Sequence, residues 1–437
     1  MSATARVIRG RVLSFTDDPA ESGSRAYSYI QDGAVLVAGG LIEAVGPTRD
    51  ILARAPPDAI IDDHSGSFIM AGFIDAHVHY PQTQVIGSYG AQLLDWLHNY
   101  TFAEEQKFAD PSHCARVADF FLDELFRSGT TTAMVYCTVH PSSVDAFFAA
   151  AEARGARMIA GKVMMDRDAP EALMDTAQRG YDESKALIER WGGRGRLDYA
   201  ITPRFAVTST QAQLDAAGAL AREFPHCYVQ THANENKAEI ARVAALFPEA
   251  RSYLDVYARA GLLGPRSVFG HCIHLQASEV GALAESRSVA AFCPTSNLFL
   301  GSGLFDQARL RQAGVRIALA TDVGGGTSYS MLRTAAEGYK VLQLNGQSWP
   351  AVEAFYRMTL GNARALSLDD RIGSIEAGKE ADLIALDPRA TPALAHRMET
   401  PGGDLEVELF ALVALGDDRA VRQTYVAGEP RKGQDSF

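Results

Sequence analysis

The sequence predicts an α/β protein: a (β/α)8 TIM-like barrel with a small β-sandwich domain formed by both termini. Three observations lead there. Eight apolar strand-like runs alternate with helical patterns through the middle of the chain. Those runs are apolar throughout rather than at every second position. The two ends share a β-rich texture, cut by glycine and proline, that the middle lacks.

At the N-terminus, RVIRGRVLSF, GAVLVAGGLIEAVG and GSFIM are short β-branched runs bounded by turn formers, which read as strands. They place the first part of the β domain at residues 1–70. The eight runs follow within residues 71–368: GFIDAHVH, GTTTAMVY, RMIAGKVMMD, DYAITPRF, CYVQTHA, SVFGHCI, SVAAFCPT and RIALATDVG. Strands of a parallel sheet are covered on both faces and lose the polar alternation. Between them PSSVDAFFAAAEARG, STQAQLDAAGALAREF and NKAEIARVAALF carry helical spacing. Eight such units suggest a closed barrel; a doubly wound open sheet is the alternative. The tail, IGSIEAGKEADLIALD and VRQTYVAGEP, returns to the β texture and supplies the second part of the β domain at residues 369–437.

Composition narrows the function classes. With 437 residues, 47% of them hydrophobic, the chain can bury a large core. A net charge of -12 argues against nucleic acid or an anionic membrane as a partner. No apolar run reaches the length of a membrane span, and MSATARVIRGRVLSF lacks the apolar core of a signal peptide. The five cysteines are scattered and form no CxxC, which points to free thiols in a reducing cytoplasm.

The chemistry sits at the strand ends. In a barrel, catalytic side chains project from the C-terminal ends of the strands. The first run ends in His77-Val78-His79, and residues two apart on a strand share a face. The fifth run ends in His232, the sixth in His271 and the eighth in Asp322. Three neutral imidazoles and a carboxylate around an open position make a catalytic metal site. Zn2+ is the first choice, and Fe2+ suits the same ligands. Asp322 read alone is equally a helix cap, and His232 and His271 alone are core histidines. Glu235, three residues beyond His232, reads as a general acid/base beside the metal or as an exposed glutamate in the first turn of a helix. Trp96, in LLDWLHNY, is a candidate pocket wall or plain core.

The segments GFIDAHVH, THANE, GHCIH and TDVGG resemble those of the amidohydrolase superfamily. HYPQ, LLDWLHNYTF, GKVMMDR, ITPRFA and AFCPTSNLFLGSG resemble the guanine deaminases within it, and the likeness runs essentially end to end. Ala71 and Ala76 are mild departures, and neither is a ligand position. The resemblance implies hydrolytic deamination of guanine to xanthine and ammonia in purine catabolism, in a homodimer. It implies His77, His79, His232 and Asp322 as ligands of one zinc ion, Asp322 and His271 as the groups around the attacking water, and Glu235 as proton shuttle. Gln82, Arg204 and Phe205 match purine-holding positions. Arg204 carries only donors and is expected to meet the C6 carbonyl of guanine. The fourth run, YAITPRF, has no lysine of the kind that bridges two metals in binuclear relatives, and no CxxC of the other zinc deaminases is present. The alternatives are a deaminase or chlorohydrolase of the same superfamily acting on another purine or a triazine, and a barrel that serves only as an interaction scaffold.

Overall fold

The structure is a computed structural model and describes residues 5–90, 92–400 and 402–433. Residues 1–4 and 434–437, at the outer ends of the expected β domain, lie outside the described residues.

The N-terminal runs form β1 (Arg6–Phe15), β2 (Tyr27–Ala38), β3 (Leu41–Pro47) and β4 (Ile60–Ala71). The barrel strands are β5 (Phe73–His79), β6 (Thr130–Tyr136), β7 (Arg157–Gly161) with a short extension β8 (Val163–Met164), β9 (Leu197–Pro203), β10 (Tyr228–Ala233), β11 (Ser267–His271), β12 (Val289–Phe292) and β13 (Arg316–Leu319). The tail adds β14 (Leu383–Leu386), β15 (Val421–Val426) and β16 (Glu429–Pro430). Each of the eight expected barrel runs contains a strand, and the barrel takes precedence over the open-sheet alternative.

One sheet has the order β16-β15-β14-β4-β1-β2-β3, so both ends of the chain build it. The ends meet where β14 pairs antiparallel with β4, Leu383 opposite Ala71 and Leu386 opposite Phe68. The other sheet runs β13-β12-β11-β10-β9-β7-β6-β5, with parallel pairing throughout. Every residue of β5, β6, β7, β11 and β12 is buried. That burial on both faces is why these runs lack alternation.

Buried side chains stitch the seam between the first and last barrel strands: Asp75 of β5 accepts from the Thr321 N–H at 3.0 Å and from the Thr321 hydroxyl, and Asn362 bridges β5 and β13. The Asn362 amide nitrogen donates to the carbonyls of Ile74 (2.6 Å) and Leu319 (2.7 Å), and its oxygen accepts from the Leu319 N–H (2.8 Å). Asn362 is fully buried. Above it, Asp322 N–H donates to His77 O and His79 N–H to Val323 O, both at 2.9 Å. Gly72 joins the two sheets: a Cβ there would lie 2.1 Å from Thr131 Oγ1.

The expected helices are Pro141–Ala153, Gln211–Glu223 and Lys237–Leu246. Asn236 caps the last of these in a capping box with Glu239. Helix Met331–Leu344 is capped by Ser330, so Asp322 does not have the capping role that its loop position allowed.

Candidate active site

At the C-terminal mouth of the barrel, four side chains from three places in the chain converge. His77 Nε2 and His79 Nε2 are 3.3 Å apart, and His232 Nε2 lies 3.2 Å from His79 Nε2. Asp322 Oδ1 is 3.3 Å from both His77 Nε2 and His79 Nε2. His232 is fixed by its other nitrogen: Nδ1–H donates to the Arg204 carbonyl at 2.7 Å, which leaves a lone pair on Nε2. Burial, and then the neighbouring imidazoles, hold His232 well below the usual histidine range. Burial also takes His79 down to about 3, although Asp322 opposes the shift. Burial would raise Asp322, but His77, His79 and His271 outweigh it and keep the carboxylate ionised.

Neutral imidazole lone pairs this close repel one another unless a cation lies between them. The spacing suits a cation bonded at about 2.0–2.2 Å, whose tetrahedral ligand atoms stand about 3.3–3.6 Å apart. His77, His79, His232 and Asp322 therefore fit a metal ion, and their ligand atoms all lie within 4.8 Å of one another.

The backbone makes room for this cluster. A Cβ at Gly270 would lie 2.6 Å from His77 Cε1, so the glycine of GHCIH is the space the His77 ring fills. His271 and Asp322 both adopt left-handed backbone, with φ of 70° and 51°. Non-glycine residues pay for that conformation and hold it where the surroundings demand it, commonly at functional sites.

His271 stands beside the four. Its Nδ1 is 2.9 Å from Asn297 Oδ1, while Nε2 has no hydrogen-bond partner and faces Glu235 Oε2 at 3.3 Å and Asp322 Oδ2 at 3.8 Å. Glu235 is 1% exposed and precedes the N-cap of its helix, so the exposed first-turn reading fails. Burial, then the charge of Asp322, raises its carboxyl to about 8, against a hydrogen bond from Ser302 Oγ at 3.0 Å. Its backbone N–H is held by Glu239 Oε2 at 2.9 Å.

A cavity opens beside these groups. Gln82, Trp96, Arg204 and Phe205 all line it, with Leu93, Leu97 and Leu300 as its apolar wall. Trp96 is both wall and core: 2% exposed, it donates its indole N–H to Ser88 O at 3.1 Å. Phe205 sits edge-on to His232, ring centres 6.3 Å apart. Arg204 is an ion-pair partner as well as a wall residue, with Nη1 2.8 and 2.6 Å from the two Glu105 oxygens.

Sequence reasoning missed Glu105, Asn297 and Ser302. Asn297 and Ser302 lie inside AFCPTSNLFLGSG, a segment singled out as a whole with no residue given a role. Glu105 stands three residues past LLDWLHNYTF, and its partner Arg204 is 99 residues away, so no local pattern marks it.

The chain matches the amidohydrolase family over residues 68–431. A short stretch, residues 33–57, matches a bacterial imidazolonepropionase-like composite domain. The chain is 47% identical over 428 residues to the guanine deaminase of Escherichia coli (strain K12), covering 97% of each chain. The solved E. coli guanine deaminase superposes with a TM-score of 0.96 at 46% identity, covering 99% of this chain and 100% of that one. The guanine deaminase of C. acetobutylicum, solved with guanine bound in its active site, gives a TM-score of 0.87 at 26% identity, covering 98% of this chain and 100% of that one. On sequence, fold and length together, the chain belongs to the amidohydrolase family and, within it, to the guanine deaminases.

Proposed function

We propose that this chain hydrolyses guanine to xanthine and ammonia at one divalent cation held by His77, His79, His232 and Asp322. The observation that carries the reading is the meeting of these four side chains with a buried Glu235, beside a pocket lined by Gln82, Arg204 and Phe205, in a chain 47% identical to a guanine deaminase. Zn2+ is our assignment, and Fe2+ fits the same donors. When bound, the cation supplies Lewis-acid activation, lowering the pKa of a water to about 7. A single cation suits β9, whose sequence LDYAITP carries no lysine to bridge a second.

The chain's own groups then move the protons. Asp322 takes a proton from the attacking water, and His271, its Nδ1–H committed to Asn297, presents the Nε2 lone pair that orients it. Glu235, whose carboxyl burial pushes up toward the neutral form, donates to ring N3 of guanine and makes C2 electrophilic. The water oxygen bonds to C2; Glu235, now a carboxylate, takes the remaining proton of that oxygen and passes it to the exocyclic amine, the C2–N bond breaks as the C2 carbonyl forms, ammonia leaves, and the proton held by Asp322 returns to Glu235. Arg204 donates to the C6 carbonyl, Gln82 meets the ring edge, Phe205 packs on the purine, and Trp96 closes the wall. The five cysteines are all unpaired and buried, which fits a reducing cytoplasm, and a homodimer is the assembly the resemblance implies. No helix among the described residues is long and apolar enough to cross a membrane.

Metal analysis of the purified protein, alongside assays of xanthine and ammonia, tests this. We expect about one cation per chain and turnover of guanine, with none of adenine, cytosine or melamine. Protein that binds no divalent metal, or that leaves guanine untouched, ends the reading.

A further inference from the structure

We propose that Glu105 is a positioning residue that sets the hydrogen-bonding pattern of the substrate wall. This inference rests on the reading of the cavity as a guanine site. Glu105 is 1% exposed and does not line the cavity; Gln82 and Arg204, which do, stand between it and the substrate space. Its carboxylate accepts from Arg204 Nη1 at 2.8 and 2.6 Å and from Gln82 Nε2 at 3.1 Å.

The consequence for Gln82 follows from donor chemistry. An ionised carboxylate only accepts, so the Gln82 amide must turn its NH2 toward Glu105. Its carbonyl oxygen is then left for the cavity. That oxygen lies against the backbone turn after Asp322: a Cβ at Gly324 would come within 3.0 Å of it. Glu105 thus presents one fixed donor, Arg204, beside one fixed acceptor, Gln82 Oε1. Guanine carries the complement on adjacent atoms, an accepting oxygen at C6 and a donating N1–H. A purine with an amine at C6 has both reversed, because the amine donates and N1 bears a lone pair. It meets donor with donor and acceptor with acceptor.

A neutral amide at position 105 both donates and accepts, so it no longer dictates which end of Gln82 faces the cavity. The probe is 2,6-diaminopurine, which keeps the C2 amine and differs from guanine only in the C6 group and the N1 proton. In Glu105→Gln we expect the preference for guanine over 2,6-diaminopurine, measured as a ratio of kcat/KM, to fall about tenfold or more, the worth of one hydrogen bond to a charged group. Bound metal is expected to be unchanged. A Glu105 that only supported the fold would reduce both activities in proportion and leave the ratio where it was, which would overturn the proposal. Should Glu105→Gln fail to fold, Gln82→Met removes the oriented amide at similar volume. The same loss of preference supports the proposal, and an unaltered ratio rejects it. Wild-type protein that turns over no guanine removes both the site reading and this inference. Wild-type turnover with an unaltered ratio in the variants removes this inference alone.

Discussion

Asp322 and His77 meet twice. The Asp322 backbone N–H donates to the His77 carbonyl at 2.9 Å, and Asp322 Oδ1 lies 3.3 Å from His77 Nε2. One contact belongs to the closure of the barrel and the other to the ligand cluster. The first and last barrel strands therefore bring the proposed ligands together through the same seam that completes the sheet, so the precision of the site is expected to depend on how well that seam is held.

The seam is held from below by Asn362, so truncating it is expected to reach the site. Asn362→Ala leaves the carbonyls of Ile74 and Leu319 and the N–H of Leu319 without their side-chain partner in a fully buried position. The expected cost is about 2–4 kcal/mol of stability. Metal affinity is expected to fall about tenfold, as for other losses of support behind a ligand. Denaturant unfolding and metal titration measure the two separately. A variant that loses stability but binds metal as tightly as wild type uncouples seam from site.

Removing the metal is expected to abolish ammonia release and to lower Tm, since a cation that binds only the folded state stabilises it by about 2.7 kcal/mol at a hundred times its dissociation constant. Zn2+ is expected to restore both. Mg2+ is expected to restore neither, because it prefers oxygen donors and the cluster offers three imidazole nitrogens. Activity that survives exhaustive chelation would contradict the metal-dependent reaction.

Much of the architecture is legible in the sequence because parallel strands are buried on both faces and announce themselves as apolar runs. His77, His79, His232, His271 and Asp322 are legible because polar residues stand out at the ends of such runs. Glu105, Asn297 and Ser302 were not. Each acts through a partner brought close only by the fold: Arg204 for Glu105, His271 for Asn297 and Glu235 for Ser302. Sequence spacing records which face of a strand a residue takes, but not which buried donor finds which acceptor across the barrel. Gly270 is a mixed case. The segment GHCIH is visible, whereas the reason for its glycine, the ring of His77, belongs to a strand nearly two hundred residues earlier.

The ion pair with Glu105 alters what substitution of Arg204 does. Arg204→Ala is expected to raise KM for guanine, because the proposed donor to the C6 carbonyl is gone, with metal content unchanged. It also leaves the Glu105 carboxylate buried and unpaired except for Gln82, a change that costs about 3–5 kcal/mol when a buried pair is broken from one side. Replacing both residues by alanine is expected to recover part of that stability while leaving KM high. A double variant as unstable as the sum of the singles would show that the two side chains are not coupled.

Glu235→Gln separates proton transfer from metal binding. The amide keeps the shape of the side chain and cannot donate a carboxylic proton, so kcat is expected to fall about 10²–10⁴-fold with metal still bound. Its stability in metal-stripped protein supplies an independent check. Burial and Asp322 raise the Glu235 carboxyl from 4.5 to about 8 in the folded chain. The unfolded chain releases this proton near 4.5, while the folded chain keeps it until about 8. The stability associated with the neutral buried acid is thus present below the lower value and lost as pH rises through the interval. Glutamine has no proton to lose, so the Tm of the stripped variant is expected to gain on that of the stripped wild type between about pH 5 and about pH 8. A gap between the two that stays constant over this range would mean that Glu235 is already ionised in the folded protein, and that the proton it gives to guanine must reach it from the attacking water.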